Sequence, residues 1–598
     1  MLASKVVIMR WILLVALLVF PLTACEYQEE MPASDNRASD EPSTVERVSV
    51  VSDRASQLTM SVADLDIDDQ IHVPGTVLAP EFSDVHEMAA IKFIYQTGAT
   101  GEQLMVEAIG GGAGWLDYDL DSFPDLYCVQ GGDPVTQSTA VRNQFFRNQG
   151  DGTFQDFTAA SGLGDAAYGQ GLTIADFNND GFDDIFVTNI THNRLYQNMG
   201  DGTFEDISES SGTAQASNWS TSAAWGDLNL DGNLDLYVCN YVKYDVQNPK
   251  DCSDSQGVKR TCHPNQMEAE WNEVYFNLGN GRFKAASAER GIRATDGKSL
   301  GVVISDLNKD GYPDVYVAND VTPNFLFLNQ QRQTFQNAAI EKGCAMSGDG
   351  NNQASMGIAH GDYDHNGFLD LYVTHFTDDS NTLYANLGEA GFHDATKSSG
   401  LHRPTIPYLA FGTVMGDFNY DRQMDLFVAN GHIDRLEDQG YDWKMTPLLF
   451  CYQGQQWANC SDQSGPYFKK KLISRGVAAA DYDNDGDQDL FVVHQNDPAA
   501  LLQNQSWGNH WLKILLIGRE SNRSALGAKV EVVQPGEVFY QELVGGSSYC
   551  SSSQRALFFG LGSDSADCTL KILWPSGRTE IREAVPVDQT LKLIEPTE

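Results

Sequence analysis

The chain runs to 598 residues, long enough for several domains and a large core. It carries 82 acidic against 39 basic residues, a formal net charge of -43, which speaks against a nucleic-acid partner because phosphate backbones need Lys and Arg. The acid excess fits either a solvating surface or oxygen ligands kept for a hard cation such as Ca²⁺, and carboxylate spacing has to decide between them.

Residues 1–25 read as a targeting segment. Lys5 and Arg10 give a positive start, Trp11 to Phe20 form an apolar run, and that run falls short of the roughly 20 residues a membrane-spanning helix needs. Leu22-Thr23-Ala24-Cys25 resembles the lipobox of bacterial lipoproteins, which implies that Cys25 is acylated and carries the lipid. The alternative is an ordinary secretory signal cleaved nearby. Either reading puts the mature protein outside the cytoplasm, periplasmic or at the cell surface, with a lipid anchor as its only membrane attachment. Residues 26–80 are polar, with EEMPASDNRASDEPS near the start, and read as a tether.

One nine-residue pattern, D-x-[DN]-x-[DN]-x-x-x-D, then occurs seven times, with starts 51 to 79 residues apart. Its ligand positions are Asp117, Asp119, Asp121 and Asp125; Asp176, Asn178, Asp180 and Asp184; Asp227, Asn229, Asp231 and Asp235; Asp306, Asn308, Asp310 and Asp314. They continue as Asp362, Asp364, Asn366 and Asp370; Asp417, Asn419, Asp421 and Asp425; Asp481, Asp483, Asp485 and Asp489. In a tight loop, positions one, three and five converge on one point, Gly at position six permits the sharp turn, and position nine closes the shell. That is a calcium site, and seven in-phase copies argue for up to seven ions. Ser122 and Arg422 replace the usual Gly in the first and sixth copies, and the sixth is expected to bind most weakly.

Apolar runs such as GLTIAD and DIFVTN flank the loops, and stretches such as RLYQNMGDGTFEDI add a hairpin around an N-x-G-D-G turn. Each unit is therefore four short strands, A to D, the make-up of a propeller blade. An open solenoid is the other architecture such repeats build. The seventh copy lacks strand D, while Glu81-Phe82-Ser83-Asp84-Val85 has the strand-D pattern without a preceding loop. The expectation is an all-β fold: a seven-bladed β-propeller over residues 81–506, closed by its N-terminal strand. These residues resemble the FG-GAP/VCBS repeats of integrin-α-like propellers.

Residues 507–598 read as a small β domain. Asn509-His510-Trp511-Leu512, Ser521-Asn522-Arg523, Phe559-Gly560-Leu561-Gly562 and Trp574-Pro575-Ser576-Gly577 resemble the ASPIC/UnbV domain. Propeller and domain together are similar to the cartilage acidic protein family and its bacterial relatives, which implies calcium binding and an extracellular interaction role.

Among the cysteines, Cys252 with Cys262 and Cys451 with Cys460 lie close together in long polar stretches and make two local disulfide candidates; Cys550 with Cys568 is a third. No C-x-x-C, G-x-S-x-G, H-E-x-x-H or Walker loop occurs. His263, His360, His365, His375, His432 and His494 are spread over several blades, of which His375 and His494 follow strand B. Insertions at Tyr244 to Asn272 and Ile433 to Tyr467 are longer than turns require, and Trp271, Trp443 and Trp457 in them suit either sugar stacking or loop anchoring. The functional expectation is a calcium-binding recognition or adhesion module for a glycan or an envelope or extracellular protein. A calcium-assisted polysaccharide lyase or hydrolase and an envelope scaffold are the alternatives.

Overall fold

Each aspartate loop joins two antiparallel strands, and its ninth residue is the first residue of the second strand. Gly169–Ala175 leads into Asp184–Asn189 in this way, and Ser474–Ala480 into Asp489–His494. A hairpin follows, such as Arg194–Asn198 with Phe204–Asp206, so every loop sits in a four-stranded antiparallel sheet with strands in the order A-B-C-D. The computed structural model describes residues 79–598, apart from 137–139, 215–217, 333, 565 and 598. The readings of residues 1–25 with Cys25, and of the tether up to residue 78, lie outside the described residues.

Seven such sheets form, and their A strands touch in ring order, the seventh meeting the first. We number them I to VII in loop order. The seventh takes its D strand from Phe82–Asp84, which pairs with Ala500–Asn504 in the register Phe82 to Asn504 and Asp84 to Leu502. The B strands are buried along their whole length because each sheet packs on both faces against neighbouring sheets. The cores lie between sheets: Trp115, Leu126 and Phe146 of blade I pack with Phe491 and Val493 of blade VII, and Val315 and Phe327 of blade IV with Tyr237 and Val274 of blade III.

Near the axis the A strands approach so closely that side chains have no room. A Cβ at Gly357 would stand 2.1 Å from the Phe411 carbonyl oxygen, and at Gly301 2.2 Å from that of Met356. Gly112, Gly171, Gly412 and Gly476 hold the equivalent place in their blades, and Ser222 fills it in blade III.

The C-terminal region folds as two sheets. Leu557–Gly562, His510–Ile517 and Gln589–Ile594 form the first; Glu537–Glu542, Lys529–Gln534, Cys568–Leu573 and Thr579–Val585 form the second. Its core is continuous with the propeller, where Trp574, Leu512 and Leu561 belong to the same apolar cluster as Phe177 and Trp225. Between Glu537–Glu542 and Leu557–Gly562, residues 543–556 leave this domain and enter the space enclosed by the seven A strands.

There the segment bonds to every blade. Ser552 N–H donates to Ala113 O at 2.9 Å in blade I, and Cys550 O accepts from Leu172 in blade II at 3.2 Å. Cys550 N–H reaches Ser222 Oγ in blade III at 3.0 Å. Ile304 N–H donates to Gly545 O at 2.7 Å in blade IV, and Ser548 N–H to Ile358 O at 2.6 Å in blade V. Thr413 N–H donates to Ser548 Oγ at 3.2 Å in blade VI, and Gln554 N–H to Ala479 O at 2.8 Å in blade VII. At the far end Tyr549 donates its hydroxyl to Ile109 O at 2.7 Å, on the short helix Met105–Ile109.

Candidate metal centres

The seven loops share one backbone shape. Position six takes a positive φ in all of them, 75° at Ser122 and 76° at Arg422 where Gly is missing. Position four is left-handed too, at Leu120, Asn179, Leu230, Lys309, His365, Tyr420 and Asn484, with φ between 53° and 61°. Two left-handed residues per loop curl the chain around the position-one carboxylate, which accepts from the position-six N–H: Gly181 to Asp176 at 2.7 Å, Arg422 to Asp417 at 2.8 Å, Gly486 to Asp481 at 3.2 Å. The non-glycine ones cost of order 1 kcal/mol each and persist where the surroundings over-determine them.

The ninth position is the most enclosed. Asp235 accepts from Leu228 N–H at 3.1 Å and from Asn277 N–H at 2.8 Å, and blades I, II, V and VII repeat both bonds at Asp125, Asp184, Asp370 and Asp489. The Asn that ends this reach on strand C also ties blades together. Asn277 Nδ2 donates at 2.8 Å to Phe177 O, position two of the preceding loop, and Asn148, Asn198, Asn329, Asn386 and Asn504 do the same. Blade VI has Tyr452 in that place, two residues past Phe450, which faces Leu426 as Tyr275 faces Leu236.

Three carboxylate oxygens converge within 4.8 Å of one another in each of three loops: Asp117, Asp119 and Asp125; Asp362, Asp364 and Asp370; Asp481, Asp483 and Asp489. In loops II, III, IV and VI the third position is Asn178, Asn229, Asn308 or Asn419, whose amide donates to the position-five Asp180, Asp231, Asp310 or Asp421 at 2.8 to 3.1 Å. In loop V position five is Asn366 beside Asn386 O, and in loop VII it is Asp485, which accepts from Asp487 N–H. Asp121 is bonded to Phe123 N–H in loop I, and Asp314 and Asp425 close loops IV and VI.

A cation fits loops I, IV, V and VII on a direct observation. Buried carboxylate oxygens of Asp117, Asp119, Asp362, Asp481 and Asp483, and of Asp314, have no hydrogen-bond donor. Burial, reinforced by the neighbouring carboxylates, pushes Asp117, Asp176, Asp227, Asp362 and Asp483 up to about 6 and Asp125 up to about 9. The same causes hold Asp184, Asp235, Asp370, Asp425 and Asp489 well above the usual carboxylate range. All-oxygen donor sets of carboxylates and carbonyls suit a hard divalent ion.

The C-terminal domain lies over this loop face. Lys513 Nζ is 2.8 Å from Asp481 Oδ2, Lys529 is paired with Asp306, and Arg555 is 2.5 Å from Asp183. Arg422 turns away from its own loop to Leu561 O, Gln534 and Glu537 of that domain, at 2.8 to 2.9 Å.

The opposite face is built by insertions. The one from Tyr244 to Asn272 carries the Cys252–Cys262 disulfide, and it meets the B–C connection of blade VI, where Thr261 Oγ1 donates to Asp434 at 2.7 Å and Arg260 to Arg435 O at 3.0 Å. Ile433 to Tyr467 is not one insertion. It contains strands Leu448–Tyr452 and Trp457–Asn459, and the Cys451–Cys460 disulfide lies at this hairpin. Trp457 is thus a core side chain, 4% exposed, while Trp271 and Trp443 carry Arg293 and Arg435 over their rings. The third disulfide candidate is corrected: Cys550 sits in the axial segment and Cys568 on a C-terminal strand, both as buried free thiols, like Cys128, Cys239 and Cys344.

The histidines form no shared site. His494 is held by Tyr467 Oη at 2.9 Å and Pro498 O at 2.6 Å, His432 by Asp434 O, and His375 is buried with neither ring nitrogen bonded. His263 caps a short 3-10 turn, His365 packs on Phe539, and His360 lines a cavity of about 140 Å³ between blades and C-terminal domain.

Comparison with known proteins matches the FG-GAP-like repeat to residues 117–187, 176–238, 265–317, 306–373 and 362–428, and the ASPIC and UnbV domain to residues 518–598. Cartilage acidic protein 1 of Mus musculus is 24% identical over 391 residues, covering 63% of this chain and 55% of its own, and that of Homo sapiens 24% identical over 390, covering 63% and 53%. The chain spans about half the length of these curated relatives. Among solved structures, the BP39L lectin of Burkholderia pseudomallei aligns with a TM-score of 0.42 at 10% identity, covering 67% of this chain and 97% of its own. The exotype rhamnogalacturonan lyase YesX aligns with a TM-score of 0.35 at 10% identity, covering 65% and 71%. Likenesses this distant assign neither ligand nor reaction.

Proposed function

We infer the role of this chain from what it is, a homologue of cartilage acidic protein 1 built of FG-GAP-like repeats and an ASPIC and UnbV domain. It is an exported, calcium-loaded recognition module, held at the cell envelope by a lipid on Cys25, and its partner is a glycan or an envelope or extracellular protein. The buried donorless carboxylate oxygens of the loops carry the calcium part of this reading. Asp and Asn at positions one, three, five and nine would hold the ions, up to seven. Bound calcium supplies the positive charge that lets these buried carboxylates stay ionised. The chain's own part is to present them preformed, through the left-handed residues at positions four and six and the bond from position six to position one.

The loop face is covered by the C-terminal domain, so recognition falls to the opposite face, where the insertions of blades III and VI meet around Thr261 and Asp434. Two cross-linked or hydrogen-bonded loops on a rigid ring are a surface of fixed shape, which lowers the ordering cost of binding.

The calcium reading is tested by melting the chain with calcium and with excess EGTA. Each site filled at 100 times its Kd adds about 2.7 kcal/mol, so chelation should lower Tm by more than about 10 °C. An unchanged melt with no metal in the protein sinks it. Recognition is tested on a glycan and matrix-protein array, with Thr261→Ala/Asp434→Ala as the comparison. Calcium-dependent binding to one ligand class, weakened in the variant, is the expected outcome. A folded, calcium-loaded chain that binds nothing on the array overturns it.

A further inference from the structure

Loops IV and VII differ from the others in one respect: an ammonium group of the C-terminal domain is bonded to the position-one carboxylate. Lys513, on His510–Ile517, donates to Asp481 Oδ2 at 2.8 Å and to Asn484 Oδ1 at 3.3 Å, and both members of the ion pair are fully buried. Lys529, the first residue of Lys529–Gln534, is paired with Asp306, their side chains 14% and 5% exposed. Among the described residues no other position-one carboxylate is paired with a lysine or arginine. Arg147 does reach Asp119 at 2.7 Å in loop I, but it belongs to that blade and is 38% exposed, where solvent screens it.

We propose that Lys513 and Lys529 set the order in which the loops fill, making loops VII and IV the weakest calcium sites and setting calcium there against docking of the C-terminal domain. This rests on the calcium reading above. A carboxylate already bonded to a buried ammonium attracts a second cation less, and the two cations repel at short range in a poorly screened interior. The coupling is reciprocal, so an ion at either loop loosens the domain by the factor by which the domain weakens the ion. Lys529 also faces Glu542, and lies near Lys309. Glu542 offsets part of that charge beside loop IV, and three converging carboxylates offset part of it in loop VII, so the two loops form one weak class. Loop VI, which carries Arg422 at position six, is not in this class, because that guanidinium bonds to Leu561 O, Gln534 and Glu537 instead.

The test is calcium titration of the full chain by calorimetry, with bound metal counted independently, for wild type, Lys513→Met, Lys529→Met and Arg422→Gln. The expected wild-type isotherm has two sites at least about tenfold weaker than the rest. Each methionine variant moves one of them into the tight class, and Arg422→Gln moves none. Uniform sites in the wild type, or weak sites that survive both lysine substitutions, overturn the proposal while leaving the calcium reading in place. A chain that takes up no calcium overturns both. Should a methionine variant not fold, Lys513→Arg decides: keeping the charge must keep the weak site, and its loss overturns the proposal.

Discussion

At the scale of single residues, the strand-C asparagine holds the ring in phase. Asn277 uses Nδ2 on Phe177 O and Leu234 O and Oδ1 on Gly279 N–H, so one amide joins two loops and a hairpin turn. Asn277→Ala leaves these buried groups unpaired and should cost about 2–4 kcal/mol in denaturant unfolding, whereas an exposed Asn→Ala elsewhere should cost under about 0.5. Gly357→Ala should be at least as damaging, about 2–4 kcal/mol, since the new methyl meets a backbone carbonyl that cannot swing aside. Histidine adds a pH dependence. Burial depresses His375 and His494 to about 4, below the ordinary 6.5 that the unfolded chain retains. The unfolded state therefore binds more protons between those values, and stability is complete above about pH 6.5 and lost as pH falls toward 4. In saturating calcium, His375→Asn, the residue blades II, III, IV and VI carry at this strand position, should remove about 1–3 kcal/mol of the acid sensitivity, read as a flatter Tm against pH.

At the scale of elements, the blade was legible wherever its chemistry repeats. The aspartates and the apolar B strands each serve one recurring contact, so the same residue types return seven times, and the N-x-G-D-G turn of blades I and II showed what hairpin follows them. The left-handed position four was not legible, because backbone closure demands it while its side chains (Leu120, Lys309 and Tyr420 among them) do different work in each blade. Blade VI hid its hairpin for a related reason. Tyr452 stands where the asparagine belongs, no N-x-G turn follows, and strands C and D passed for an insertion. The junction of blades V and VI consequently lacks the amide link, and the Cys451–Cys460 disulfide braces the hairpin on one side of it. Reduction, or Cys451→Ser with Cys460→Ser, should cost about 2–3 kcal/mol and raise hydrogen exchange first in Leu448–Asn459. Uniform exchange across all blades would contradict this.

At the scale of the whole molecule, the propeller and the C-terminal domain share one core and one set of hydrogen bonds. The ring closure at Phe82 was readable from the unmatched ends of the repeat, but the axial segment was not: GGSSYCSSS has the composition of a solvent loop and reveals nothing of the seven strands it meets. Calorimetry of the intact chain should show one transition for propeller and domain together. Truncation after Ser506 should leave the A strands with unpaired inner groups and bare the apolar cluster around Phe177 and Trp225, lowering Tm by more than about 10 °C or leaving the fragment insoluble. Two separate transitions in the intact chain, or a truncated ring as stable as the parent, would refute this.

The axial segment also fixes a sequence of events. In synthesis it follows every blade, and it follows Asn504, the partner for which Phe82 waits. Until Ala556 has been made, no nascent chain can possess a finished hub, however many blades have already paired. The contacts at the geometric centre are therefore among the last that the chain can complete.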